Sequence, residues 1–168
     1  MSLYPGPGNE TGRIEEQLAY RPRSLPTEPL NILIWRGLDN EIFGSLEEGE
    51  AQFVKESCLV THCRLTGDRS KLDSADLVIF QGLDSVMVEG EKREGQLWMI
   101  STMESPPHFF MLDWTGLDWT ATYRRDSTIV TPYGAWRADI SSTDIWATNI
   151  FRNNNSDPRI FLEIFKML

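Results

Sequence analysis

The sequence predicts an α/β fold, a Rossmann-like parallel sheet in a single domain, and three observations carry the prediction. Short apolar runs without polar alternation recur at Ile32-Leu33-Ile34-Trp35, Leu77-Val78-Ile79-Phe80 and Leu97-Trp98-Met99-Ile100, the pattern of strands buried on both faces. The intervals between them leave room for the crossovers that parallel neighbours require. With 168 residues, 40% of them hydrophobic, the chain is long enough to bury one sizeable core.

Residues 1–29 hold Pro5-Gly6-Pro7-Gly8 and five of the nine prolines, and they read as a flexible, stem-like leader. The first strand follows at Ile32–Trp35, between Pro29 and Gly37. A helix is expected from Ser45, because Ser45 and Glu48 have capping-box spacing and Phe53 and Val54 offer an apolar face. A further short strand is expected near Leu59-Val60-Thr61. The charged stretch Leu83–Gly95 reads as an exposed loop, and Thr120–Tyr123 alternates as a strand does. Residues 135–168 form a tail whose end reads as a helix, with Asp157 at its N-cap, Pro158 at its first position and Ile160, Phe161, Ile164, Phe165 and Leu168 on one face.

A net charge of -9 provides no basic field for a phosphate backbone, so nucleic acid is not an expected partner. No apolar run approaches the ~20 residues of a membrane span, and no transmembrane anchor is expected in this chain. Cys58 and Cys63 permit either a local disulfide or two thiols. Two His and two Cys in no ligand spacing predict no metal site. Asn9-Glu10-Thr11 and Asn154-Asn155-Ser156 are glycosylation sequons in polar stretches.

The chemistry-bearing residues concentrate between Gly95 and Gly134. Glu104 follows the third strand, and in open α/β sheets the carboxyl ends of strands face the ligand crevice. Ser105-Pro106-Pro107 keeps this segment out of helix and gives the carboxylate a stiff mount. His108 reads either as an acceptor-orienting group or as a hydrogen-bonded loop histidine. Trp114 and Trp119, each in an Asp-Trp-Thr triplet, suit stacking on a sugar face or filling the core. Arg124-Arg125-Asp126 suits either a structural ion pair or bidentate contact with a pyrophosphate.

GQxW, MESPPH, DWTxTYRRDS and PYG, in that order, resemble the N-terminal half of the α-(1,3)-fucosyltransferases, with the resemblance running from about Asn31 to Tyr133-Gly134. It implies a 30–134 acceptor-side domain, corresponding to the N-terminal half of a two-domain GT-B-type glycosyltransferase. By that resemblance Glu104 is the catalytic base, His108, Trp114 and Trp119 bind the acceptor, and Tyr123, Arg124, Arg125 and Asp126 position groups near the cleft. The implied donor is GDP-fucose, bound by a C-terminal donor domain or partner chain and not by this chain. The implied acceptor is a glycan containing N-acetylglucosamine, and the implied location is the Golgi membrane or lumen. A chain without donor motifs or an anchor is expected to be truncated or unusual, and inactive alone. Thr128 stands where the family has a second aspartate, and Asp118 where many relatives have asparagine. A non-catalytic glycan-binding or interaction module is the second reading. A flavodoxin-like nucleotide-binding domain is the third, for which Arg36–Asn40 is a poor phosphate cradle.

Overall fold

The computed structural model describes residues 13–40, 44–81, 91–105 and 116–132. In chain order these residues form α1 (Ile14–Leu18), β1 (Leu30–Ile34), β2 (Asp39–Asn40), β3 (Gly44–Ser45), α2 (Ala51–Lys55), β4 (Cys63–Thr66), a 3-10 helix (Arg69–Ser74), β5 (Leu77–Gln81), β6 (Leu97–Ser101), β7 (Trp119–Thr122) and β8 (Ile129–Val130). Six of the strands make one sheet in the order β4-β1-β5-β6-β7-β8, and every pairing in it is parallel. β2 and β3 form a separate antiparallel pair. The expected α/β class and parallel sheet are present. The strand order is that of a doubly wound sheet, whose direction of growth reverses between β1 and β5.

β5 is buried along its whole length, which is why its sequence is an unbroken apolar run. Its register places Ile79 beside Ile34 of β1 and Met99 of β6, so side chains of like direction meet across the sheet. Ile32, Ile34, Leu65, Ile79, Met99 and Ala121 build the core on one face, where Leu46, Phe53 and Cys58 pack over them. Leu33, Trp35, Val78 and Phe80 build the other, under Leu72 and Ala75. There Phe80 lies 5.6 Å from Trp35 and 5.3 Å from Trp98 between ring centroids, the second contact edge-on, a favoured aromatic arrangement.

Three local expectations change. Ser45 lies in β3 and its hydroxyl donates to Asp39 Oδ1 at 2.8 Å, while the helix begins only at Ala51. Gly49 explains the delay, because its φ of +76° breaks helical geometry and its backbone bridges to Leu65. The short strand falls at Cys63–Thr66 and not near Leu59-Val60-Thr61, since only the later residues reach the β1 ladder. The leader is not wholly stem-like: Arg13 and Gln17, at the first turn of α1, bond to the backbone of residues 127–130. Cys58 and Cys63 are free thiols, both buried. Burial, then the neighbouring Cys58 and Glu50, pushes the Cys63 thiol up to about 11. The tail helix expected at 157–168 lies outside the described residues.

Candidate functional site

The carboxyl ends of β6 and β7 are neighbours in a parallel sheet, so the segments that leave them emerge on the same edge. Past Ser101 the ladder runs one residue further, with Thr102 N donating to Ala121 O at 3.0 Å. Thr102 then turns the chain, its hydroxyl accepting from Glu104 N at 3.0 Å. Thr131 Oγ1 contacts Met103 Sδ at 3.6 Å, tying the segment after β8 to the one that carries Glu104. Glu104 itself is exposed. Its mount is therefore built in part from Thr102 and Met103, upstream of the carboxylate. Pro106 and Pro107, expected to supply stiffness from downstream, lie outside the described residues.

β7 and β8 are parallel, yet only residues 123–128 join them, far fewer than the dozen or so usual for a crossover. The Tyr-Arg-Arg-Asp-Ser segment makes this possible. Ser127 N donates to Arg124 O at 3.2 Å, and the Thr122 and Ser127 hydroxyls meet at 2.5 Å in a buried contact. Thr120 and Thr128 each offer a hydroxyl to the other's backbone N–H at 3.2 Å. Arg124 forks onto Asp126, with Nε to Oδ1 at 2.8 Å and Nη2 to Oδ2 at 2.5 Å. Of the two uses open to these charges, Arg124 and Asp126 take the ion pair. Arg125 is exposed and makes no ion pair among the described residues. Tyr123 is partly buried at the same edge.

Trp119 packs against the core face that holds Ile34, Ile79 and Met99, and it pairs in register with Met99. That is the core-filling use of the residue, set back from the edge where Glu104 emerges. His108 and Trp114 lie outside the described residues. Among the described residues, no group of three or more His, Cys, Asp or Glu gathers to hold a metal, and no helix is long and apolar enough to cross a membrane.

Two motif segments that look like site chemistry are structural. Gly95 takes a φ of +79°, and Gln96, buried behind it, donates from Nε2 to Leu72 O at 2.7 Å and to Ala75 O at 2.8 Å. Its Oε1 accepts from Trp98 Nε1 at 2.8 Å, so the GQxW residues lock the 3-10 helix to the start of β6. Lys92 and Arg93 hold two aspartates that each precede a strand. Lys92 Nζ lies 2.5 Å from Asp118 Oδ2 and Arg93 Nη2 lies 3.6 Å from Asp76 Oδ1. Asp118 Oδ2 also accepts from Trp98 N at 2.7 Å, and Asp76 Oδ2 from Asn31 N at 2.9 Å, each capping the first residues of a neighbouring strand. Burial opposes ionisation of Asp118. The hydrogen bonds from Lys92 and Trp98, with the Lys92 charge, outweigh it and hold the carboxyl below its usual range. Asp118 in place of asparagine thus has a partner of its own, at the amino end of the sheet.

A family model described as the N-terminal region of fucosyltransferases matches residues 27–134. Glycoprotein 3-alpha-L-fucosyltransferase A of Drosophila melanogaster is 32% identical over 144 residues, which cover 80% of this chain and 28% of that protein. Alpha-(1,3)-fucosyltransferase 7 of Mus musculus is 32% identical over 120 residues, 66% of this chain and 29% of that protein. Alpha-(1,3)-fucosyltransferase fut-6 of Caenorhabditis elegans is 27% identical over 118 residues, 66% of this chain and 30% of that protein. The chain thus spans about three tenths of the length of the curated relatives it matches. A matched segment of this extent, on a parallel sheet whose carboxyl edge carries Glu104-Ser105 and the Tyr-Arg-Arg-Asp-Ser segment, shows that the chain belongs to the fucosyltransferase family through its N-terminal region.

Proposed function

We propose that this chain is the acceptor side of an inverting, GT-B-type fucosyltransferase, with Glu104 as the general base. The observation that carries the reading is the emergence of Glu104, exposed, from the carboxyl end of β6, on the same sheet edge as the arginine turn that leaves the neighbouring β7. The substrates are GDP-fucose and a glycan presenting the 3-hydroxyl of N-acetylglucosamine. Glu104 takes the proton of that hydroxyl as its oxygen bonds to the fucose anomeric carbon. The bond to the diphosphate breaks, and its electron pair leaves with GDP. One displacement inverts the centre, so a single base suffices.

Donor binding and stabilisation of the leaving diphosphate belong, in this reading, to a donor-binding domain or partner chain beyond these residues. Arg125, exposed on the β7 turn and without an ion pair among the described residues, is suited to reach toward the acceptor or the diphosphate. The compartment is the Golgi lumen or membrane. In a protein that includes a donor-binding half, Glu104→Gln is expected to lower kcat by about 10²- to 10⁴-fold with little change in acceptor KM or in melting temperature. Undiminished transfer by that variant removes Glu104 from the role.

A further inference from the structure

Among the described residues β8 is the last strand of the sheet, and its outer edge is occupied by a side chain. Val130 N donates to Gln17 Oε1 at 2.8 Å, and Gln17 Nε2 donates to Val130 O at 3.1 Å. One carboxamide thereby makes the two bonds that a residue of an added antiparallel strand makes to an edge residue through its own N–H and C=O. Arg13 extends the contact, its Nη2 donating to Ser127 O at 2.5 Å and to Thr128 O at 3.3 Å. Arg13 also holds a φ of +70°, a backbone conformation that L residues adopt at a cost and keep only where their surroundings enforce it. The inward groups of the strand are already used by β7, as Thr131 N donates to Thr122 O at 2.8 Å.

We infer that the 13–18 turn is an edge seal, whose work is to keep β8 from pairing with the β8 of a second copy of this chain. An open edge strand is a template for another strand. A second copy brings the same edge with the same unpaired N–H and C=O, so an isologous pair is self-complementary. The seal satisfies those groups within one molecule and leaves a second copy nothing to bond.

The test compares four forms of the chain, wild type, Gln17→Ala, Val130→Pro and Gln17→Ala/Val130→Pro, by sedimentation over a concentration series and by amide exchange. Proline at 130 removes only the outward N–H and is tolerated on an edge strand. Gln17→Ala is expected to speed exchange at the Val130 amide on the order of tenfold and to produce concentration-dependent dimers. The double variant is expected to return to monomer while circular dichroism stays unchanged. A Gln17→Ala chain that stays monomeric with Val130 protected as in wild type overturns the inference. So does association that persists in the double variant, because it then runs through another surface.

Discussion

Asp118 shows how much one residue's reading depends on where the chain takes it. In the sequence it is a departure from a family pattern. In the fold it caps the Trp98 amide and pairs with Lys92, far from the edge that bears Glu104. The sign of its pH dependence follows. Its folded carboxyl is held below the ordinary 3.8, so its contribution to stability is complete above that value and is lost as pH falls through the lowered one. Asp118→Asn is expected to cost roughly 1–3 kcal/mol at neutral pH, the range for a hydrogen-bonded charge. The gap between the thermal melts of wild type and variant should hold from neutral pH down to the ordinary 3.8 and close only as pH falls further; a gap that persists in strong acid places the cost in packing and not in ionisation. The position of Glu104, past the carboxyl end of β6, was legible because the apolar run that precedes it was. The Arg124–Asp126 pair was legible only as one of two uses, since a side chain's choice of partner depends on the turn that brings the two together.

At the scale of elements, the continuous apolar runs and the alternation at Thr120–Tyr123, which falls on β7, were readable, whereas the edge strand β4 and the two-residue strands were not. β1, β5 and β6 are interior strands and announce themselves. β4 is an edge strand whose Arg64 is exposed between buried Cys63 and Leu65, so its sequence lacks the run. Leu59-Val60-Thr61 has the composition of a strand, yet Leu59 is 43% exposed and the segment pairs with nothing in the sheet. β8 has two residues, too few to carry a period. The close passage of the segments after β1 and β4 was also invisible in sequence. A Cβ on Gly67 would lie 2.8 Å from both Gly37 Cα and Leu38 N, backbone atoms that cannot rotate away. Gly67→Ala is therefore expected to destabilise by about 1–3 kcal/mol, whereas Val54→Ala, at a position 65% exposed, should fall within about 0.5 kcal/mol. Urea unfolding of the two variants checks the contrast.

For the molecule as a whole, the two ends of the sheet have different characters. Lys92, Arg93, Asp76 and Asp118 brace the amino end with ion pairs. The carboxyl end carries buried Ser101, Thr102, Thr122, Ser127 and Thr131, and beyond them Glu104 and the arginine turn. If the acceptor reading holds, calorimetric titration of the chain with an N-acetylglucosamine-terminated glycan gives binding, and titration with GDP-fucose gives none. Nucleotide binding instead would move the donor site onto this chain. The sheet's class could be read from its apolar runs, whereas its strand order could not, because nothing local in β1 states that both β4 and β5 will flank it.

The contact between Gln17 and Val130 spans 113 positions of the chain. On a ribosome this places the earliest described turn in wait for the last described strand. The sheet's final edge closes only after residue 130 has emerged, and until then Arg13 has no carbonyls to hold it in its left-handed conformation. Docking of that turn thus completes the described sheet: protease cleavage between Arg13 and Tyr20 should be rapid in nascent chains arrested before residue 130 and slow once β8 is in place.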